Sequence, residues 1–262
     1  MIVDARDVVG QYIYYFGVWE PVLSAWITSR LRTGDVFVDV GAYIGYFSLL
    51  AAKAVGRSGG VVSIEPAPQV FDLLTENVRM NRAGNIRCEN IAAWDREAKL
   101  RLFTKRGISV SKTTVHPEWA SRYALESDFE VQAMPLHKTL RPQEVAAARL
   151  IKIDVECAEW QVIAGLMPIL KKCRPDLEIM VEVTHDLNGS NGRSPNQLID
   201  MFREIGFHCY HIENNYSGLS YLSKQSLDSP KRLDRLSSEQ QTDLIFSRVD
   251  ASELSLNPSL PT

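Results

Sequence analysis

The stretch that most constrains this chain is Val38-Asp39-Val40-Gly41-Ala42-Tyr43-Ile44-Gly45. A short apolar strand, residues 35–40, runs straight into a glycine. Residues 44–55, rich in Ala, Leu and Phe and free of proline, then read as a helix that stops at Gly56. Gly41 permits a backbone that other residues resist, and Gly45 lets the helix pack close to the strand. The free N–H groups of the first helical turn face whatever lies in the crevice above.

The same alternation continues. Residues 61–65 form a strand, 69–81 a helix after Pro66 and Pro68, and 86–92 a third strand. In the second half, strands at 150–155, 177–183, 207–212 and 241–248 alternate with helices at 158–172 and 196–205. Residues 18–31 read as a helix before the first strand, and 217–223 as a short strand or a loop. The pattern predicts an α/β fold with a mostly parallel sheet and helices on both faces. We read residues 1–249 as one domain, with the N-terminal helix (18–31) and a lid-like insertion (104–130) as additions and 250–262 as a flexible tail.

Composition removes several classes. At 262 residues the chain needs no disulfide or metal to fold. Lys+Arg 29 against Asp+Glu 32 leaves a net charge of -3, without the basic field a nucleic-acid binder uses. Cys88, Cys157, Cys173 and Cys209 form no CxxC pair, which fits reduced thiols in a cytoplasmic protein. The charged start (Asp4, Arg6, Asp7) is unlike a signal peptide, and no apolar run reaches the ~20 residues of a membrane span.

Two ligand classes use such a turn: dinucleotides, which set a pyrophosphate on it, and S-adenosylmethionine, which sets its methionine and ribose there. Asp39, two residues before Gly41, favours the second. It would repel a pyrophosphate and attract an ammonium, by about 4 kcal/mol of raw Coulomb energy at ~4 Å and an effective dielectric of ~20. The turn also reads GxxxG, with Tyr43 in place of a middle glycine. Glu65, closing the next strand, is placed to accept from two ribose hydroxyls, an acid that occurs in both classes.

Five separated blocks, VFVDVGAYIGYFSL, SIEPAPQVFDLLTENVRMN, ENIAAWD, LIKIDVECAEWQVIAGL and MVEV, occur in an order that resembles the FkbM family of S-adenosylmethionine-dependent methyltransferases. The similarity runs over about residues 19–185. The resemblance implies a class I methyltransferase (Rossmann-like) three-layer sandwich, with a seven-stranded mostly parallel sheet and an antiparallel last strand. It implies O-methylation of a sugar, glycolipid or polyketide-type molecule. Carried over position by position, Asp39, Gly41, Tyr43 and Gly45 line the methionine end of the cofactor and Glu65 holds the ribose. Asn90, Ala92 and Asp95 wall the adenine, and Glu20 reaches the cofactor side. Tyr43 stands where the family usually has Asn, and Cys157 where it has Gly.

Residues 151–156 alternate strictly, so Lys152, Asp154 and Glu156 share one face of a strand whose carboxyl end borders the crevice. Glu159 follows on the next helix, Glu182 ends the neighbouring strand, and His185 opens the loop beyond. Methyl transfer needs alignment of the acceptor oxygen and removal of its proton. Asp154, Glu156, Glu182 and His185 are the candidates, with His185 best suited by its intrinsic pKa and otherwise a solvated loop residue. Lys152 reads as a structural ion pair. A magnesium ion between Asp154 and Glu182 is an alternative use of the carboxylates, although no metal motif demands it. In the insertion, His116, Trp119 and Tyr123 offer a platform for a small-molecule or glycan acceptor, or simply a solvated hairpin; Arg106 and Lys112 would meet an anionic one. A nicotinamide-dependent oxidoreductase and an inactive cofactor-binding protein are the competing readings, and a homo-oligomer is left open.

Overall fold

The structure is a computed structural model that describes residues 1–104, 113–122, 124–125, 127–183, 194–214, 221, 228–236 and 242–255. Its elements, in chain order, begin with two helices, α1 (Val8–Phe16) and α2 (Pro21–Arg30), then β1 (Val36–Val40), α3 (Tyr46–Val55), β2 (Gly60–Ile64), α4 (Pro68–Met80) and β3 (Ile86–Glu89). The middle third holds β4 (Ala92–Trp94), β5 (Ala98–Thr104), β6 (Thr113–Thr114), α5 (Pro117–Arg122), β7 (Ser127–Pro135), α6 (Leu136–Thr139) and α7 (Pro142–Ala147). Then follow β8 (Ala148–Ile153), α8 (Glu159–Leu166) with a 3-10 turn at Met167–Lys172, β9 (Glu178–Val183), α9 (Pro195–Glu204), β10 (His208–Ile212), β11 (Lys231–Arg232) and β12 (Thr242–Ser247).

The main sheet runs β11-β10-β12-β9-β8-β1-β2-β3. Strands β3, β2, β1, β8 and β9 are parallel, and β12 enters antiparallel between β9 and β10. This is the class I methyltransferase sheet with its antiparallel last strand, extended by one two-residue edge strand, β11, to eight strands among the described residues rather than seven. The direction of winding reverses at β1 and β8, so the crevice opens above their carboxyl ends. All five residues of β1 are buried, as a central strand covered on both faces requires. Packed on one face are Trp26, Phe37, Phe47 and Tyr210, and on the other Ile153, Ile163, Phe202 and Phe246.

Helix ends follow local chemistry. Asp7 caps α1 through a bond from the Gly10 amide, and Pro68 opens α4. Ser194 and Gln197 form a capping box on α9. α2 is tied to the sheet by the buried Arg30–Glu178 pair, whose Nε–Oε2 distance is 2.7 Å.

Several expectations change. Residues 86–92 do not form one strand: the chain leaves β3 at Asn90 and re-enters as β4 in a second sheet, ordered β4-β7-β5-β6. Residues 104–130 are therefore partly woven into that sheet, which packs Trp94, Leu102 and Val131 over Ala158. α1 was not foreseen. The tail is not free from 250 onward: Leu254 is buried, its amide bonds to the Pro230 carbonyl, and Ser255 accepts from Arg30. Residues 217–220 and 222–223 fall outside the described residues.

Candidate active site

A cavity of about 430 Å³ sits over the carboxyl ends of β1, β2, β8 and β9. Its floor is the turn after β1. Gly41 has φ +81°, and a Cβ there would lie 1.8 Å from the Asp154 carbonyl oxygen. No side chain fits this crossing of two strands. Gly45 opens α3 with φ +88°, where a Cβ would meet Leu74 at 2.5 Å. Its role is packing, below the cavity. Tyr43, at φ +49°, donates its amide to Glu65 Oε2 at 3.0 Å, while the Ala67 amide donates to Oε1 at 2.9 Å. Burial pushes Glu65 up to about 7, against the pull of those two amides. Each carboxyl oxygen keeps a lone pair for a further donor.

The sequence-predicted residues divide into two groups. Glu20, Gly41, Tyr43, Glu65, Ala92, Asp154, Glu156 and Glu182 border the cavity together. Asp39, Gly45, Asn90 and Asp95 are not among its lining residues. Asp39 is buried beneath, accepting from Ser48 Oγ at 2.6 Å, and burial raises its pKa. Asp39 therefore makes no contact with the cavity. Asn90 donates to the carbonyls of Glu65 (2.9 Å) and Pro66 (3.1 Å), bracing the turn that carries Glu65. Asp95 faces outward with Arg96. His185, Tyr123, Arg106 and Lys112 lie outside the described residues.

Across the sheet edge runs a row of ionisable groups on three adjacent strands. Lys152 is buried, with Nζ 2.5 Å from Asp154 Oδ2 and 4.8 Å from the centre of the Phe47 ring. Burial disfavours its ammonium, but Asp154, Asp39 and Glu20 outweigh that and raise its pKa. Asp154 keeps 36 % of its side-chain surface open. Burial works to raise it, yet Lys152 and a hydrogen bond with Glu182 bring it below the usual carboxylate range. Glu182 is raised well above that range by burial and then by the Asp154 charge. Asp243 pairs with Glu182 in the β9–β12 register and accepts from Asn214 at 3.3 Å; burial pushes it up to about 7. The expected structural ion pair of Lys152 is present, with Asp154 as its partner; Asp243 and Asn214 were missed, because only the strand order brings them to this row. Glu159 is fully buried, and burial raises its pKa well above the usual carboxylate range against the pull of the Glu159 and Cys157 backbone amides.

The residues fit S-adenosylmethionine: a side-chain-free crossing at Gly41, a ribose-suited carboxyl at Glu65 and negative groups for a cationic donor. They do not fit the magnesium alternative. Asp154 is already paired with Lys152, and no group of three metal-type side chains occurs among the described residues. Among those residues no helix is long and apolar enough to cross a membrane.

Comparison with known proteins agrees with this geometry. The model of the methyltransferase FkbM domain matches residues 39–209. The 31-O-demethyl-FK506 methyltransferase FkbM of Streptomyces tacrolimicus is 30% identical over 204 residues, covering 68% of this chain and 74% of that protein. A protein-L-isoaspartate O-methyltransferase of Caenorhabditis elegans is 33% identical over 66 residues, 25% of this chain and 29% of that protein. Among solved structures, methyltransferase FkbM from Methylobacillus flagellatus superposes with a TM-score of 0.49 at 15% identity. That match covers 91% of this chain and 52% of the other, so the chain spans about half its length. The domain match covers the Gly41 turn, Glu65 and the acidic strand, and with the identity over two thirds of the chain it places this protein in the FkbM family of S-adenosylmethionine-dependent methyltransferases.

Proposed function

We propose that the enzyme methylates a hydroxyl oxygen of an uncharged small molecule or glycan, with Asp154 as the base. The observation that carries this reading is the place of Asp154: a carboxylate partly open to the cavity, 2.5 Å from Lys152 Nζ, just past the end of β8 and beside the strand that carries Glu182. When bound, S-adenosylmethionine supplies a methyl group on a sulfonium, an electrophile that needs little help with its leaving group. Gly41, Tyr43 and Glu65 would hold it, with Ala92 beside the base end. The chain then has to orient the acceptor oxygen and take its proton. Asp154 takes it, and Lys152 stabilises the carboxylate before transfer. Among the described residues Glu20, Asp154 and Glu156 line the cavity beside a single ammonium, Lys152. That balance disfavours a carboxylate or phosphate acceptor. The name of the Streptomyces relative supports oxygen as the accepting atom.

The test is transfer from isotope-labelled S-adenosylmethionine to neutral polyols and glycosides and to matched uronic acids. Label is expected on hydroxyls of the neutral compounds. Asp154→Asn should lower the rate by roughly 10²–10⁴, the usual worth of a general base, while S-adenosylhomocysteine still binds. An unchanged rate would move the base elsewhere, first to His185; preference for the acids would refute the charge argument.

A further inference from the structure

The loop between β8 and α8 has an unusual backbone. Cys157 sits at φ +65°, a conformation that favours glycine. It lies between Glu156 and Ala158, both of which border the cavity, and three residues after Asp154. The αL turn thus decides where the Asp154–Ala158 segment runs.

Two residues of the insertion hold that segment. Thr114 forms a β-bridge with Glu156 and donates its hydroxyl to the Glu156 carbonyl at 3.3 Å. His116 Nε2 lies 2.9 Å from the Cys157 carbonyl oxygen. A carbonyl only accepts, so Nε2 carries the hydrogen. Nδ1 faces Glu118 Oε1 at 3.5 Å, and the His116 carbonyl accepts from the Ala120 amide, which fixes the histidine at the start of α5. The buried Trp119 anchors the same helix.

We propose that His116 is a positioning residue for methyl transfer: its imidazole clamps the Cys157 carbonyl and keeps a non-glycine residue in the left-handed turn that sets the loop carrying Glu156. The inference rests on the reading of this cavity as the methyl-transfer site. It accounts for how a cysteine is held where a glycine would need no support. His116 touches no reacting atom, and its effect passes through the loop.

The experiment compares His116→Ala, His116→Gln and Cys157→Gly, alone and as His116→Ala with Cys157→Gly. Amide exchange is read by mass spectrometry on peptides covering residues 154–160, alongside kcat, acceptor KM and S-adenosylhomocysteine affinity. His116→Ala should speed exchange in that loop and lower kcat by about tenfold, the order of one hydrogen bond. Cofactor affinity should stay within about twofold, because Tyr43 and Glu65 are joined by their own hydrogen bond and do not touch the clamp. Glutamine, whose amide nitrogen can stand in for Nε2, should restore both. So should Cys157→Gly in the His116→Ala background, since glycine takes the turn unaided. This double variant also decides the matter if His116→Ala fails to fold. Wild-type exchange in His116→Ala, or no rescue by glycine, would overturn the proposal. Should the enzyme transfer no methyl group to any compound tried, the exchange measurements still decide the clamp, so the two failures are distinguishable.

Discussion

Replacing Lys152 by methionine removes the one ammonium in a row of carboxyls while keeping most of the side chain's length over Phe47. Lys152 is 3 % exposed, with Nζ 2.5 Å from Asp154 Oδ2. Raw attraction at that distance and an effective dielectric of ~20 is about 6–7 kcal/mol. Desolvation offsets part of this, and removing one partner of a buried pair costs about 3–5 kcal/mol because the other charge is left alone. For a protein of this size that is a fall in Tm of roughly 6–20 °C. Lys152→Met/Asp154→Asn should recover most of the loss, giving a coupling of at least ~2 kcal/mol in a double-mutant cycle. Urea denaturation of the four proteins measures it. In Lys152→Met the acidic limb of the kcat/KM profile should also move to higher pH, since Asp154 loses the charge that keeps its pKa low. A destabilisation under ~1 kcal/mol with no coupling would show that Lys152 does not hold Asp154 in its ionised state.

Three other outcomes follow from the site. Gly41→Ala places a methyl group 1.8 Å from the Asp154 carbonyl, so it should abolish S-adenosylhomocysteine binding in calorimetry and lower thermal stability. Glu65 binds its proton more tightly folded than unfolded, so its share of stability is present at low pH and lost as pH rises from 4.5 through about 7, up to about 3 kcal/mol. Glu65→Gln should flatten that part of the pH–stability curve measured by urea denaturation. The same variant should weaken S-adenosylhomocysteine binding by about 10–100-fold through loss of charged hydrogen bonds to a diol.

The glycine turn and the acid that meets it were legible because their geometry is local. A strand, a glycine turn and an acid at the end of the next strand lie within 30 residues, and each has a spacing with a physical reason. Asp39 was legible as an acid near the turn but not as a buried one, because Ser48, which holds it, sits on the next helix. The row of ionisable groups beyond the turn was less legible. Asp243 meets Glu182 only because β12 inserts antiparallel beside β9, a long-range pairing that alternation along the chain does not reveal. The single strand expected at 86–92 breaks at Asn90, whose side chain bonds backward to the Glu65 turn instead of continuing a ladder. α1 was hidden by its own composition, β-branched and aromatic with a glycine inside, and is declared mainly by the Asp7 cap.

Calorimetric titration of the purified protein with S-adenosylhomocysteine, with NADH as the control, tests the central claim most directly. One-to-one saturable binding of S-adenosylhomocysteine at micromolar concentrations, absent in Gly41→Ala, is the expected result. Binding of NADH in its place, or no heat with S-adenosylhomocysteine, would contradict the assignment of the Gly41–Glu65 crevice to a methyl donor.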